Sequence, residues 1–561
     1  MTSPLLKDLL TEIEQGRYAV PEIQRPYVWT NPQVRELFES IYKGYPIGSI
    51  IVWEPAPEIF ERYDDLFRAL SKELEDKRRN FKYVVIDGQQ RLLSLWLVKK
   101  GRITVVDTYG QERERTINLY YHVINDDFFT DRARRKYEND PYVYRVSGFL
   151  DYIKYKHLED LVDTKNVTDH IQKRNIAYKL GEVREALLTY PVNKYRIPES
   201  VLEYRSEGDS DNFLEIFEKI SQMFVRLNYT GTRVRAPHLI IALLTGKTRR
   251  VLGVSFRKMI SKLVSKLDEE GWDIGEGALM RTYLVIATKE PRFSRARRML
   301  NELSANQIKE YLEKLNDTLI YVVNKVLKYE LNIKKPSFLK SEYVIVPITY
   351  YACIKENRLT PSDIKGLIKW LILASFNRRY TGRLDTDMAE DIASLTKSKD
   401  ITTLIKNLQT SEIQEEWLDR SVDREHLTMM SIILRDSYDL MRDTTIRIKD
   451  IDGKHIHIHH IFPRSRIQKY YKEYGSIGDM DLETAYNHVA NITIISETAN
   501  ENIGNELPYV YLSEIDSEIL KSHMIPLDKE LWKLENYPQF LEARKQLIME
   551  KINELIEFRY R

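Results

Sequence analysis

A cluster of histidines towards the C-terminal end of the sequence has the residue types and spacing that metal-dependent hydrolysis requires. Four of the chain's eleven histidines fall within six residues, in the stretch HIHIHHIFPRS. In an extended strand His455, His457 and His459 share one face, because side chains alternate along a strand. His460 breaks this alternation and points to the opposite face. The stretch therefore predicts a strand that carries imidazoles on both sides.

A second polar stretch, ANITIISETANENIGN at 490–505, is predicted to complete a site with the histidines. Its first part is a short strand from Asn491 to Ile495, and its second part is a short polar helix from Ser496 to Asn502. Hydrolysis of a phosphodiester needs a water nucleophile, a base that takes its proton, and a cation that neutralises charge on the phosphate. Strand, loop, strand and helix with these residues form the layout of a ββα-metal nuclease site.

Each polar residue of this predicted site has a separate role. His460 is the predicted general base, because imidazole titrates near neutral pH. His459 and Asn500 are the predicted ligands of Mg2+ or Mn2+. Asn491 is predicted to hold the imidazole of His460 through its second ring nitrogen. The alternatives are a structural strand or a non-catalytic zinc site, which the single cysteine restricts to histidine ligands.

These residues resemble the HNH nuclease domain of the GmrSD family of modification-dependent, type IV restriction enzymes. The resemblance rests on His459-His460-Ile-Phe-Pro, on Asn491-Ile-Thr and on Asn500, nine positions after Asn491. The family often has an acidic residue at the position of His459 and a glycine at the position of Ala490. The first difference bears on the choice of metal, and the second bears on local packing.

Composition and charge restrict the class of protein. With 561 residues, 43% of them hydrophobic, the chain is long enough for about three to four domain-sized units. The net charge of +2 neither demands nor excludes nucleic acid, so a DNA-binding surface must be local. The single cysteine, Cys353, excludes intramolecular disulfides and fits a reducing cytoplasm. The sequence shows no signal peptide and no membrane-spanning run, so a cytoplasmic protein without membrane contact is expected.

A polar turn in the N-terminal region has features of an anion site. Tyr83–Ile86 is predicted to be a buried strand, the turn DGQQR follows it, and a helix begins after the turn. Backbone N–H groups and the helix dipole meet at such a turn, which suits an anion. Arg91 adds a guanidinium, and Gln89 and Gln90 add amide donors. Asp87 is suited to hold a metal or a hydroxyl group.

Four motifs of this region together resemble the N-terminal ParB/sulfiredoxin-like domain of the same family, which binds and hydrolyses nucleotides. In chain order they are IQRPYVW at 23–29, GYPIG at 44–48, DGQQR at 87–91 and FVRLN at 224–228. The alternative for each polar residue is a structural salt bridge or a helix cap. The residues that the resemblance places on the phosphates of a nucleoside triphosphate are Gln24, Arg25, Asp87, Gln90, Arg91, Arg226 and Asn228.

The whole pattern predicts a helix-rich α+β protein of three domains. Residues 1–245 are predicted to form the ParB/sulfiredoxin-like α/β domain with a helical insert, residues 246–440 a helical linking domain, and residues 441–561 the HNH nuclease domain. The helices predicted in the last two regions include Ala305–Leu327, Pro361–Phe376 and a pair between Asp528 and Tyr560. The stretch TGKT at 245–248 ends like a P-loop, but it is preceded by a predicted apolar helix whose C-cap is Gly246. We therefore exclude it as a phosphate site.

The resemblance implies a function as well as a fold. It implies a nucleotide-regulated, metal-dependent endodeoxyribonuclease with NTPase activity that cleaves modified double-stranded DNA in antiviral defence. One alternative is a non-specific DNA or RNA nuclease that acts as an abortive-infection toxin. Another is a nucleotide-dependent DNA-binding protein whose metal site is structural. The assembly state is open, and a homodimer is one state compatible with the sequence.

Overall fold

A five-stranded mixed sheet organises the first of two compact units, Met1–Lys262. Its strand order is β10-β2-β4-β1-β3, with β1 parallel to β4 and antiparallel to β3. Buried side chains from both faces of the sheet and from the surrounding helices form one hydrophobic core. The strands of this unit are β1 Tyr18–Pro21, β2 Ile50–Trp53, β3 Phe67–Ala69, β4 Tyr83–Asp87, β5 Arg102–Val106, β6 Glu112–Thr116, β7 Leu119–His122, β8 Asp127–Thr130, β9 Val143–Arg145 and β10 Lys194–Arg196.

The structure is a computed structural model that describes most of the chain. It describes residues 3–557 with the exception of 22–23, 25, 63–66, 107–111, 132–134, 138–139, 151–157, 164, 166, 168, 199–222, 224–235, 410–411, 476 and 478–479. Three predicted nucleotide-binding residues, Arg25, Arg226 and Asn228, lie outside the described residues. The division into three domains at residues 245 and 440 stays a prediction.

Helices α1 to α9 begin in the first unit. Helix α4 follows β4 through Gly88, whose φ of +92° places it in the left-handed region that glycine adopts without strain. The predicted strand is confirmed, but the helix begins at Gln89, inside the DGQQR stretch and not after it, because Gly88 alone makes the turn. The helices are α1 Leu6–Glu14, α2 Asn31–Tyr42, α3 Pro57–Arg62, α4 Gln89–Lys100, α5 Val146–Leu150, α6 Leu158–Asp163, α7 His170–Leu188, α8 Ala236–Leu252 and α9 Phe256–Glu269.

The predicted end of one helix was wrong. Helix α8 does not stop at Gly246 but continues to Leu252. Thr245 and Thr248 are fully buried, and the Thr248 hydroxyl donates to the carbonyl of Leu244 at 2.9 Å. Burial of this face outweighs the modest helix-breaking tendency of one glycine. The TGKT stretch therefore lies inside a helix. This position agrees with its exclusion as a P-loop.

The second compact unit, Leu263–Arg561, consists mainly of helices around one two-stranded sheet. Pro361–Phe376 begins with a capping box between Thr360 and Asp363, which explains why its predicted bounds were confirmed. Its elements are α10 Glu276–Thr288, α11 Phe293–Glu302, α12 Ala305–Tyr321, α13 Ile345–Ile354, α14 Pro361–Phe376, α15 Leu384–Ser398, α16 Arg424–Ile433, β11 Ile456–His460, α17 Arg464–Tyr474, α18 Leu482–Asn487, β12 Ile492–Ser496, α19 Glu497–Ile503, α20 Pro508–Tyr511, α21 Ser517–Ser522 and α22 Tyr537–Ile556.

Two helical predictions for this unit need correction. The helix predicted over Ala305–Leu327 is α-helical only to Tyr321, and the chain then continues as a π-helical segment, Val322–Glu330. The predicted pair of helices at the C-terminal end is one long helix, α22, preceded by short 3-10 turns. Among the described residues, no helix has both the length and the apolar composition needed to cross a membrane.

Candidate active site

A two-stranded antiparallel sheet and the helix after it build the candidate active site. Strand β11 pairs with β12 so that His459 lies opposite Thr493 and His460 lies opposite Ile492. Helix α19 follows β12 directly, and its N-cap is Ser496, whose hydroxyl accepts from the N–H of Ala499 at 2.9 Å. The predicted strand, loop, strand and helix are therefore present in the predicted order.

The three alternating histidines face helix α19, as their spacing predicted. His455 Nδ1 lies 2.8 Å from Glu497 Oε2, and His457 Nε2 lies 3.8 Å from Glu497 Oε1. His459 Nδ1 lies 2.9 Å from Asn500 Oδ1. Glu497 and Asn500 are three residues apart, so they occupy neighbouring positions on one helix face. The predicted pair of His459 and Asn500 is thus brought together.

His459 is the buried member of this row. Its side chain is 4% exposed, and burial lowers its pKa to about 4. The hydrogen bond that the ring donates to Asn500 opposes this shift, and the charge of His460 adds to it. The imidazole is therefore neutral near pH 7 and keeps a lone pair for a ligand. Within the described residues its Nε2 atom has no hydrogen-bond partner.

His459 Nδ1 and Asn500 Oδ1 are separated by 2.9 Å, the distance of a hydrogen bond that the ring N–H donates to the amide oxygen. With its proton on Nε2 instead, the ring would offer Nδ1 to a cation beside Oδ1, because two neighbouring ligands of an octahedral ion at about 2.1 Å are also about 3 Å apart. Among the described residues, no group of three or more His, Cys, Asp or Glu side chains is placed to hold a metal. The two donors are neutral, so an ion held here needs water or phosphate oxygens to complete its shell. Imidazole also favours transition ions over Mg2+.

His460 lies on the other side of the strand, as predicted. Its Nε2 is 3.0 Å from Oδ1 of Asn487, the last residue of α18. Burial lowers the pKa of His460; the Asn487 hydrogen bond opposes this effect, and the charge of Arg464 adds to it. Because an amide oxygen only accepts, Nε2 carries the hydrogen and Nδ1 is left with the lone pair. The imidazole can therefore take a proton at Nδ1.

The predicted contact between Asn491 and the His460 imidazole is wrong. Asn491 is fully buried, and its Oδ1 accepts from the N–H of Phe462 at 2.8 Å. Its Nδ2 donates to the carbonyl oxygens of Phe462 and Tyr486 at 3.1 and 3.0 Å. These bonds fix the loop after β11 to the end of α18. Asn491 thus positions backbone, while Asn487, which the sequence did not single out, holds the imidazole.

Arg464 places a positive charge beside His460. It is the first residue of α17, directly after the N-cap Pro463. Its guanidinium lies 4.2 Å from the ring centroid of Tyr486 and donates to the Tyr486 hydroxyl at 3.0 Å. The side chain is nonetheless exposed. A phosphate that approaches His460 would meet this guanidinium.

Gln24 of the IQRPYVW motif and Gln90 of the DGQQR motif bind backbone. The Gln24 amide donates to the carbonyls of Val85 and Ile86 at 3.2 and 2.8 Å. Gln90 accepts from the N–H of Val28 and donates to the carbonyl of Pro26, both at 2.9 Å. Both side chains are buried. In the structure they fasten the segment before α2 to β4 and α4.

Asp87 and Arg91 form an ion pair at the start of α4. Arg91 Nη2 lies 3.1 Å from Asp87 Oδ2, and Nη1 donates to the carbonyl of Ile47 at 2.8 Å. Gly48 has φ +80°, and a Cβ there would lie 2.6 Å from Arg91 Nη1. Glycine at position 48 of the GYPIG motif is therefore explained by the guanidinium that packs against it. Asp87 is the more exposed partner, at 39% against 14%.

Gln89, the first residue of α4, differs from its neighbours. Its side chain is 3% exposed, yet neither Oε1 nor Nε2 has a hydrogen-bond partner within the described residues. A buried amide without a partner costs about 1–3 kcal/mol. It lies at the helix N-terminus beside the Asp87–Arg91 pair, where the sequence predicted an anion.

Comparison with known proteins gives two results. Residues 6–245 match the N-terminal domain of the GmrSD restriction endonucleases. The matched residues include the DGQQR turn and its neighbouring motifs. An uncharacterized protein of Methanocaldococcus jannaschii is 22% identical over 635 aligned residues, covering 98% of this chain and 98% of that protein.

Proposed function

We propose that this protein is a GmrSD-like endonuclease that hydrolyses phosphodiesters of modified double-stranded DNA at the β11–α19 site. The observation that carries the proposal is the placement of two adjacent imidazoles on opposite sides of β11. His459 meets Asn500, and His460 meets Asn487, at 2.9 and 3.0 Å. A ligand pair next to a proton acceptor is what hydrolysis requires. The match of residues 6–245 to a restriction endonuclease family supports DNA as the substrate.

His460 is the proposed general base. Its lowered pKa keeps the ring neutral near pH 7, and Asn487 fixes the tautomer whose Nδ1 accepts a proton. In the proposed reaction, Nδ1 takes the proton of the attacking water. Arg464 is placed to bind a non-bridging oxygen of the phosphate, where negative charge accumulates. Asn491 contributes by holding the loop between His460 and Arg464.

His459 and Asn500 are the proposed ligands of a divalent metal ion. Mg2+ or Mn2+ at these atoms would neutralise charge on the phosphate and on the leaving oxygen. Because both ligands are neutral, we expect weak metal binding by the free protein and tighter binding with DNA present. The neutral donor set also makes Mn2+ the better activator of the two.

The N-terminal turn is the proposed site for a nucleoside triphosphate that regulates cleavage. Arg91 and the buried Gln89 amide at the start of α4 support it, since a helix N-terminus with donors attracts phosphate. Gln24 and Gln90 would then hold the turn in shape, and Asp87 would bind a hydroxyl or a metal. Arg25, Arg226 and Asn228 stay predicted contacts from the resemblance. Hydrolysis of the triphosphate at this turn is part of the proposal.

A cleavage assay with matched histidine variants tests the nuclease. Full-length protein is incubated with Mn2+ or Mg2+ and with modified and unmodified phage DNA, with and without each triphosphate. We expect wild type to cut modified DNA, His460→Ala to lose about 10²–10⁴-fold in rate, and His457→Ala, an exposed residue of the same strand, to retain activity. Equal cutting by wild type and His460→Ala would refute the base assignment. Equal cutting of modified DNA, unmodified DNA and RNA would instead indicate a non-specific toxin.

A further inference from the structure

A row of basic side chains runs along α17, starting at the candidate active site. The helix has the sequence RSRIQKYYKEY, with four basic residues and one acidic residue. Arg464, Arg466, Lys469 and Lys472 are all exposed. From Arg466 onwards the three are spaced by three residues, so each neighbours the next on the helix surface. Ile467, in contrast, is fully buried and anchors the other face.

These four cations lack carboxylate partners within the described residues. The bonds described for their side chains run from Arg464 to the Tyr486 hydroxyl at 3.0 Å, and from Arg466 to the carbonyl of Asn505 at 3.3 Å. Elsewhere in the same unit cations are compensated: Lys545 lies within 4 Å of three carboxylates. Uncompensated like charges along one helix repel each other. A bound polyanion would replace this repulsion with attraction.

We propose that α17 binds the phosphate backbone of duplex DNA and leads one strand to His460. The inference rests on the proposed nuclease function and adds the surface that holds its substrate. From Arg464 to Lys472 the helix rises about 12 Å, and a duplex advances about 3.4 Å per base pair along its axis, so the helix is as long as about three to four base pairs. The helix that carries the row begins at Arg464, whose charge acts on the proposed base, so DNA bound along the helix lies close to the reacting atoms.

The chemistry of the row identifies its ligand as the backbone and not the bases. Lysine is a flexible point charge suited to phosphate, and phosphate contacts position a protein without reading sequence. The chain as a whole has a net charge of only +2, so attraction to DNA must come from a local excess such as this one. Binding through the row should therefore be strongly salt-dependent.

Charge reversal on α17 tests the surface. In the full-length protein we compare Lys469→Glu/Lys472→Glu with Lys397→Glu/Lys406→Glu, an equal charge change at two other exposed lysines of the same unit. Binding to a fluorescent 30-base-pair duplex is measured by anisotropy in EDTA over a series of salt concentrations. We expect the α17 variant to bind at least tenfold more weakly at low salt, with a salt slope smaller by about 2. The control pair should bind like wild type.

Further variants and assays distinguish a wrong DNA-binding surface from a wrong nuclease assignment. Lys469→Arg/Lys472→Arg should restore affinity, because charge and not lysine itself is required. If both charge-reversed proteins bind DNA equally well, the surface is refuted, whereas metal-dependent cutting by wild type would leave the proposed function intact. Stronger wild-type binding to single-stranded RNA than to duplex DNA would also overturn the proposal. Normal cleavage by His460→Ala would refute the active site even if α17 binds DNA.

Discussion

The N-terminal turn and the histidine strand use polar side chains in opposite ways. At the N-terminal turn, Gln90 and Gln24, which reaches it from the IQRPYVW motif, are buried and bind the backbone of neighbouring segments. In the strand, His459 and His460 bind side-chain amides, and a nitrogen of each ring has a free lone pair for chemistry. A polar motif can thus specify a fold, a site or both, and its hydrogen-bond partners separate these cases.

The same comparison applies within each region. Beside the two backbone-bound glutamines lies Gln89, buried without a partner in the described part of the chain. Beside the two candidate active-site histidines lies the fully buried His523, whose ring nitrogens are 2.7 Å from Thr493 Oγ1 and from the carbonyl of Tyr438. Gln89 is therefore suited to bind a ligand, whereas His523 has a structural role.

The largest expected effect tests whether Gln90 specifies the fold. Gln90→Leu leaves the N–H of Val28 and the carbonyl of Pro26 without their partner, so we expect a loss of about 3 kcal/mol in the free energy of unfolding. Gln89→Leu removes no hydrogen bond that the structure describes and should leave stability unchanged or higher. Urea unfolding of both variants measures the difference. If Gln90→Leu retained full stability but lost triphosphate binding, Gln90 would be a ligand-binding residue and not a residue that stabilises the fold.

A smaller effect is expected from the pH dependence of His523. Burial lowers the pKa of His523 to about 4, below the unfolded value of about 6.5. The unfolded chain therefore binds the proton more readily, and the stabilisation is full above pH 6.5 and is lost as pH falls. On going from pH 7 to pH 5, protonation of His523 should lower the free energy of unfolding by about 2 kcal/mol. Urea unfolding at both pH values measures the loss.

The matched variants for this test are His523→Gln, which should show a smaller loss on acidification, and the exposed His457→Gln, which should behave like wild type. An equal loss in all three proteins would show that His523 does not control the acid sensitivity. That result would contradict the assignment of His523 as a structural histidine, in contrast to the candidate active-site histidines.

The smallest expected effect concerns Asn487, which orients the proposed base. Asn487→Ala should lower the single-turnover cleavage rate about tenfold, a typical loss when a hydrogen-bond partner of a site residue is removed. Its melting temperature should stay near that of wild type, because the side chain is only partly buried at the end of α18. A variant with the wild-type rate would show that the His460 ring is oriented by other contacts.

Local patterns made much of the structure predictable. Alternation of histidine and isoleucine predicted the strand face that meets α19, and the DGQQR stretch predicted a junction from strand to helix, although the helix begins three residues earlier than predicted. Helix bounds were accurate at Pro361–Phe376, where a proline and a capping box mark the beginning. They were inaccurate at Gly246, because burial of neighbouring side chains outweighs a local propensity.

The sequence by itself determined which residue types are available and which face of a strand each occupies, because the two-residue period of a strand is a local property. Only the tertiary structure decided the partners. Asn487 reaches His460 from 27 positions away, and Asn491, 31 positions from His460 by its number, binds backbone. Hydrogen bonds between distant segments depend on how those segments pack, and no spacing rule along the chain encodes that packing.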